Sequence, residues 1–214
     1  IIIPFKDKPE LLKMCLDSIL DKTTYVNFEI IGVSNNSEDP AIFALMQTYQ
    51  NKDHRIKFIE HNVSFNYSEI NNYAINHYAS GEHIVLLNND IEVITPDWIE
   101  SLLEFSQRDD VGAVGARLYY PNDTLQHAGV ILGLGGVAGH LHKYLPKSSG
   151  GYFYRPYLIQ NLSAVTAACL MVKRSVYDLV SGLNESELKI AFNDVDFCLR
   201  LREHGLLNVY TPYC

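Results

Sequence analysis

Short apolar runs and longer amphipathic stretches alternate along the first half of the chain. Ile1–Phe5, Phe28–Val33, Ile56–Ile59 and His83–Leu87 are dominated by Ile, Val, Leu and Phe. Unbroken runs of that length predict strands buried on both faces, the condition of a parallel sheet in an α/β protein. The stretches between them follow helical spacing. From Pro9 to about Leu20, one stripe carries Leu11, Leu12, Cys15, Leu16 and Ile19, with Pro9 in the first turn. Asp39-Pro40 opens a second helix running to about Tyr49. Tyr67–Tyr78 gives a third, stopped by Ser80-Gly81, and Thr95-Pro96-Asp97 starts a fourth whose Trp98 is assigned to core packing. This βαβαβαβ order predicts an α/β fold with a largely parallel sheet and helices on both faces.

Composition narrows the class. A chain of 214 residues with 47% apolar and 20% charged side chains suits one globular α/β domain. Ile1-Ile2-Ile3 reads as a strand already under way, so residues 1–214 are expected to be a single domain trimmed from a longer protein. No apolar run approaches the roughly 18 residues of a membrane span, and no basic-then-apolar leader signals export. Four dispersed cysteines, at 15, 169, 198 and 214, form neither a metal motif nor a disulfide framework and fit a reducing cytoplasm. A net charge of −8 argues against a nucleic-acid partner. That charge is uneven. Between Thr124 and Tyr177 there is no Asp or Glu but five basic residues, which leaves −13 for the remainder. Such a region fits either a core segment poor in charge or a positive surface facing an anionic ligand.

Three segments carry candidate chemistry. Ile84–Leu87 ends abruptly in Asn88-Asn89-Asp90. Ligands of parallel sheets gather outside the carboxyl ends of the strands. Asp90 at that end suits a hard cation such as Mn2+ or Mg2+, although Asn and Asp are also ordinary turn formers. In AFNDVDFCLRLREHG, residues 191–205, Phe197, Cys198 and Leu201 share a helical face and Gly205 is the expected stop. Asn193 would cap this helix. Asp194 would stand in its first turn, where a carboxylate commonly complements the helix dipole; its ionised form suits a general base provided the helix start faces the Asp90 strand end. The run Gly133-Leu134-Gly135-Gly136-Val137-Ala138 matches G-x-G-x-x-A. It lies mid-chain with no acid until Asp178, so it is read as a flexible loop and not a dinucleotide fingerprint. There is no Walker-type loop.

Taken in order, IIIPFKDKPELL, GVSNNSED, HNVSFNYSEINNYAINHYASGEHIVLLNND, LQHAGVILGLGGVAGH, SAVTAACLMVKRSVYDLVSGLNE and FNDVDFCLRLREHG resemble glycosyltransferase family 2 over essentially the whole chain. The likeness is to bacterial cell-surface polysaccharide members. It implies a GT-A-type nucleotide-diphospho-sugar transferase fold and an inverting, metal-dependent hexosyl transfer. The donor would be a UDP- or dTDP-linked sugar and the acceptor a glycan or lipid-linked saccharide. The setting would be the cytoplasm, with peripheral association at the inner face of a bacterial membrane. By the same resemblance, Pro4, Phe5, Ser34, Asn35, Asn72, Asn88 and Asn89 contact the donor and Asp90 holds Mn2+ or Mg2+. Asp194 is the catalytic base, and Thr166, His127 and His140 face the acceptor.

Departures from the family pattern are specific. Ser34 stands where members usually have an Asp against the base, which weakens the expectation of uracil specificity. The metal triplet retains one carboxylate, and Asn193 replaces a common Glu. Two rivals stay open. A sugar-1-phosphate nucleotidyltransferase would need a glycine-rich basic loop after the first strand, and PFKDKPE has no glycine. A non-catalytic sugar-nucleotide-binding module is kept open by the thinned metal triplet.

Overall fold

A computed structural model describes residues Ile1–Cys214. The first half follows the expected alternation: β1 (Ile2–Phe5), α1 (Pro9–Lys22), β2 (Ile30–Ser34), α2 (Pro40–Lys52), β3 (Ile56–Glu60), α3 (Tyr67–Tyr78), β4 (His83–Leu87) and α4 (Trp98–Ser106). Local chemistry fixes the helix starts. Asp39 caps α2 by accepting from the Ala41 N–H, and Asn66 caps α3 by accepting from Glu69 N–H at 3.1 Å. Trp98 is buried, and its indole N–H donates to Thr23 Oγ1 at 2.9 Å.

The second half is built from shorter pieces: β5 (Val111–Gly115), β6 (Leu118–Tyr119), β7 (Leu125–His127), β8 (Val130–Leu132), β9 (Ala138–His140), β10 (Gln160–Leu162), β11 (Cys169–Lys173), α5 (Arg174–Leu179), α6 (Asn193–Glu203) and β12 (Leu207–Tyr210). Eight strands form one sheet in the order β10-β12-β5-β11-β4-β1-β2-β3. β1 is parallel to both β2 and β4, β2 to β3, and β5 to β12. β11 runs antiparallel between β4 and β5, and β10 is an antiparallel edge. The sheet is mostly parallel, as the sequence predicts, with an inserted reverse strand that the sequence did not announce.

Two apolar layers explain the unbroken hydrophobic strands. Alternate residues point to opposite faces of a strand. Ile3, Phe5, Val85 and Leu87 pack with α1, α2 and α4, through residues such as Leu16, Ile42 and Leu102. Ile2, Ile84 and Leu86 face the other way, toward Ile70 and Ile75 of α3 and Phe197 and Leu201 of α6. Burying each such side chain is worth roughly 1.5–3 kcal/mol. No helix is long and apolar enough to cross a membrane.

The glycine run lies in a loop, as the sequence predicts, and that loop is the turn of a hairpin. Gly133–Val137 closes a β8–β9 hairpin through a Gly133 N–H donating to the Val137 carbonyl at 2.8 Å. Gly133, Gly135 and Gly136 have φ of 81°, 69° and 100°, which side-chain-bearing residues adopt at a cost, so the tight turn requires them.

Candidate functional site

β4 delivers Asn88-Asn89-Asp90 to the carboxyl edge of the sheet. Because β11 pairs antiparallel with β4, with Cys169 opposite Leu87, the residues before β11 arrive at the same edge. Asn88 N–H donates to the Ala168 carbonyl at 3.1 Å, which draws the segment 166–168 alongside. From the other side comes the start of α6. Asp194 Oδ2 accepts from the Ala167 N–H at 3.1 Å and its Oδ1 from the Val195 N–H at 2.9 Å. Both bonds orient the carboxylate. The result is a cavity of about 260 Å³ lined by Asn88, Thr166, Asp194, Tyr67 and Phe192.

Three expected residues therefore meet in one place: Asn88, Thr166 and Asp194. Tyr67 is an addition. Its hydroxyl donates to the Ala167 carbonyl at 3.2 Å, and burial, reinforced by the nearby Asp194 charge, pushes its pKa well above that of a free tyrosine. It stays a neutral donor. The start of α3 is tied to the cavity wall by backbone and side-chain bonds from Tyr67 N–H to Lys189 O and from Ser68 Oγ to Leu188 O, both 2.7 Å.

Asn193 does not cap α6. It is the first helical residue, and Phe192, in the left-handed region at φ 60°, precedes it. Asn193 Oδ1 instead accepts from the Asp194 N–H at 2.8 Å. Asp194 does stand in the first turn, and Gly205, at φ 80°, closes the far end.

Asp90 faces a second, larger cavity of about 730 Å³, which Asn88 also lines, together with Arg117, Tyr119 and Lys147. Asn89 lies between them in the turn, half-buried. Asn88, Asn89 and Asp90 offer only carboxylate and amide oxygens, a hard donor set that fits Mg2+ or Mn2+. No group of three or more His, Cys, Asp or Glu side chains could hold a metal ion. An ion here would thus take one charged ligand from this triplet and need further oxygens from its substrate and water.

Other expected contacts are occupied by the protein itself. Ser34 is buried and its hydroxyl donates to Ser37 Oγ at 2.9 Å. Asn35 is buried and spends its amide on the His61 and Val63 carbonyls. Phe5 packs edge-on against Phe58 within the core, leaving Pro4 half-buried beside it. Asn72 donates to the Leu183 carbonyl and to Glu185, while its oxygen accepts from Leu183 N–H and the Tyr177 hydroxyl. Those bonds saturate it, and it reads as a buried brace. His127 is completely buried and bonds His140 through Nδ1 to Nδ1 at 2.9 Å. Only the half-buried His140 of that pair is open to a ligand. Burial lowers the basicity of His140, opposed by the Asp194 charge and helped by Lys143, which puts His140 in the field of the cavity.

A strained turn escaped notice in the sequence. Asp7 and Lys8 both have positive φ, 51° and 55°. Asp7 Oδ1 accepts from the Glu38 and Asp39 N–H groups, so it ties the β1 loop to the β2 loop, and these bonds hold its carboxyl below the usual range. Nucleophilic cysteine chemistry has no support here: burial pushes the Cys15 and Cys198 thiols up to about 12.

Comparison with known proteins agrees with this architecture. The family model for glycosyl transferase family 2 matches residues 1–179. Protein y4gI of Sinorhizobium fredii is 48% identical over the whole of this chain, and the O-antigen biosynthesis protein RfbC of Myxococcus xanthus is 42% identical over 99% of it. The chain spans only 23% and 16% of those two relatives. Among solved structures, the mannosyltransferase PcManGT of Pyrobaculum calidifontis, in complex with GDP-Man and Mn2+, superposes with a TM-score of 0.73 at 16% identity, covering 99% of this chain and 53% of that one. GalNAc-T7 with UDP, GalNAc and Mn2+ gives 0.80 at 12% identity, covering 99% of this chain and 41% of that one. Both likenesses concern the fold.

Proposed function

The chain belongs to glycosyltransferase family 2, and on that premise we propose that it moves a sugar from a nucleoside-diphosphate donor to a glycan or lipid-linked acceptor in surface-polysaccharide synthesis, inverting the anomeric centre. The observation that carries the reading is the convergence of Asn88, Thr166, Tyr67 and Asp194 on one cavity at the carboxyl end of β4. The donor's diphosphate would lie over the Asn88–Asp90 turn and its sugar in that cavity. The complexes of PcManGT with GDP-Man and Mn2+, and of GalNAc-T7 with UDP, GalNAc and Mn2+, support a nucleotide-sugar donor and a divalent ion.

In this scheme an acceptor hydroxyl attacks the anomeric carbon as the bond from that carbon to the diphosphate oxygen breaks. Asp194 takes the hydroxyl proton. Its two backbone hydrogen bonds, from Ala167 and Val195, fix the carboxylate so that a remaining lone pair can face the acceptor. Thr166 and Tyr67 offer hydroxyls to the sugar, and Asn88 offers its amide. Mn2+ or Mg2+ bound at Asp90 would neutralise charge on the departing diphosphate. His140 stands on the acceptor side.

The test is donor turnover in the full-length protein with Mn2+ present, scanned over UDP-, dTDP- and GDP-sugars. Release of nucleoside diphosphate that requires the ion supports the proposal. Donor binding with no turnover under any acceptor would favour a non-catalytic binding module, a reading supported by the single carboxylate in the Asn-Asn-Asp triplet. Neither binding nor turnover would end the proposal.

A further inference from the structure

Residues 132–159 hold ten of the nineteen large apolar side chains that the chain leaves exposed, in about an eighth of its length. A concentration of that kind marks a contact surface. The β8–β9 hairpin contributes Leu132, Leu134 and Val137, exposed by 40%, 47% and 59%. The turn after it contributes Tyr152, Phe153 and Tyr154, exposed by 67%, 77% and 69%. The two pieces meet at their bases, where a Cβ on Gly151 would come within 2.9 Å of His142 Nδ1.

Charge is equally one-sided. The same 28 residues contain Lys143, Lys147 and Arg155 and no Asp or Glu, while the rest of the chain carries −11. Of the five basic residues between Thr124 and Tyr177, Lys173 and Arg174 are neutralised by Glu82 and Asp178. Lys143 and Lys147 instead lie over tyrosine rings, and Arg155 donates to Gln160. Their charge is left for an external partner.

The backbone adds an independent sign. Phe153 and Tyr154 are both in the left-handed region, at φ 50° and 55°, an unfavourable conformation for bulky side chains. Burial does not offset the cost, since both rings remain in solvent. The base of the segment, by contrast, is anchored: the Arg117 guanidinium stacks 4.0 Å from the Tyr157 ring and the Tyr210 hydroxyl donates to the Pro156 carbonyl.

We propose that residues 132–159 form a membrane-docking surface for an anionic phospholipid bilayer, with the hairpin tip and the Tyr152–Tyr154 turn seated at the headgroup boundary and Lys143, Lys147 and Arg155 against the lipid phosphates. Aromatic rings with a polar end suit that boundary, and a basic surface is drawn to it while the strongly acidic remainder is repelled. The docked face is therefore also an orienting one. β8 joins Ala164 through an isolated bridge, two residues before Thr166, so docking would bring the proposed transfer cavity close to lipid-borne acceptors.

Vesicle co-sedimentation of the full-length protein tests this without requiring turnover. Equimolar phosphatidylcholine and phosphatidylglycerol should bind it at least tenfold more tightly than phosphatidylcholine alone, and added salt should erase much of the difference. Each basic residue at the surface is worth about fivefold. Lys143→Glu with Lys147→Glu should thus weaken binding by more than ~25-fold. Tyr152→Ser, Phe153→Ser and Tyr154→Ser together should weaken it comparably, with circular dichroism and donor binding unchanged. The charge pair stands as the second arm should the aromatic triple variant misfold. Parent protein that ignores anionic vesicles, or a folded variant that binds them as the parent does, overturns the proposal. Loss of transfer to a soluble glycan with vesicle binding intact would assign the surface to the acceptor and overturn it as well. Failure of donor turnover alone bears on the proposed function and leaves this measurement standing.

Discussion

Replacing Asp194 by Asn separates a catalytic role from a capping one. The side chain accepts two backbone hydrogen bonds, from Ala167 at 3.1 Å and from Val195 at 2.9 Å, with one on each oxygen. Asn has a single acceptor oxygen. One bond survives, and the other N–H meets an NH2 donor. Losing a charge-assisted bond costs roughly 1.5–3 kcal/mol when fully buried, and the half-buried position of Asp194 brings the figure toward the lower end. Loss of the dipole interaction at the first turn adds ~0.3–1 kcal/mol. In a domain of this size each kcal/mol lowers Tm by roughly 2–4 °C, so a folded but measurably weaker protein is expected.

Turnover then discriminates. If Asp194 is the base, kcat should fall by ~10²–10⁴ while the donor dissociation constant barely moves, because the lost interaction belongs to the transition state. If it only anchors α6 to the turn before β11, turnover should stay within a few-fold of the parent once temperature is held below the lowered Tm. Single-turnover transfer in the full-length protein, together with donor calorimetry, gives both numbers. A variant within threefold of the parent rate would refute the assignment and turn attention to Asp196, which is already committed to Arg200.

Asp90→Ala should abolish Mn2+-dependent binding of the nucleoside diphosphate and leave the fold intact, since the residue is exposed; calorimetry showing unchanged affinity would remove Asp90 from the site. Asn72→Ala should cost roughly 1–3 kcal/mol in urea unfolding by stranding Tyr177 and Leu183, yet leave donor affinity unaltered, and a weakened donor with unchanged stability would contradict its role as a brace. Acid should destabilise the protein through His127. Burial, with His140 in second place, lowers its basicity well below the ordinary 6.5, so the unfolded chain takes up the proton first. Its contribution is complete above about pH 6.5 and falls by ~1.4 kcal/mol per unit below it, until the folded form also protonates. The urea midpoint should drop between about pH 6.5 and 5.5, and His127→Gln should flatten that slope; an unchanged slope would place the titration elsewhere.

The parts legible in the sequence share one physical cause. β4 and α3 fall where apolar spacing puts them because burial on both faces leaves Ile84–Leu87 no polar position, and because Ser80-Gly81 marks the end of α3 locally. β11 was invisible as a reverse strand. Its direction is decided by pairing with β4 and β5, more than fifty residues away, and no local period encodes that. The same contrast divides the candidate site. Asp194 could be placed from its helix, since a first-turn carboxylate is a local signature. The partners of Asn35, Asn72 and His127 could not be read, because a polar residue type does not reveal what it bonds. Asn72 is saturated by groups 105 to 113 residues further on, and Asn35 spends its amide N–H groups on carbonyls 26 and 28 residues away. Tyr67 was missed for the converse reason: at the head of an amphipathic helix it looks like core, and only the Ala167 carbonyl, 100 residues distant, turns its hydroxyl toward the cavity. Asp194 belongs to both groups. Its presence in a first turn was readable, but its hold on Ala167 was not, and that bond aims the carboxylate beside Thr166 and Asn88. The proposed chemistry depends on this one long-range hydrogen bond as much as on the residue itself.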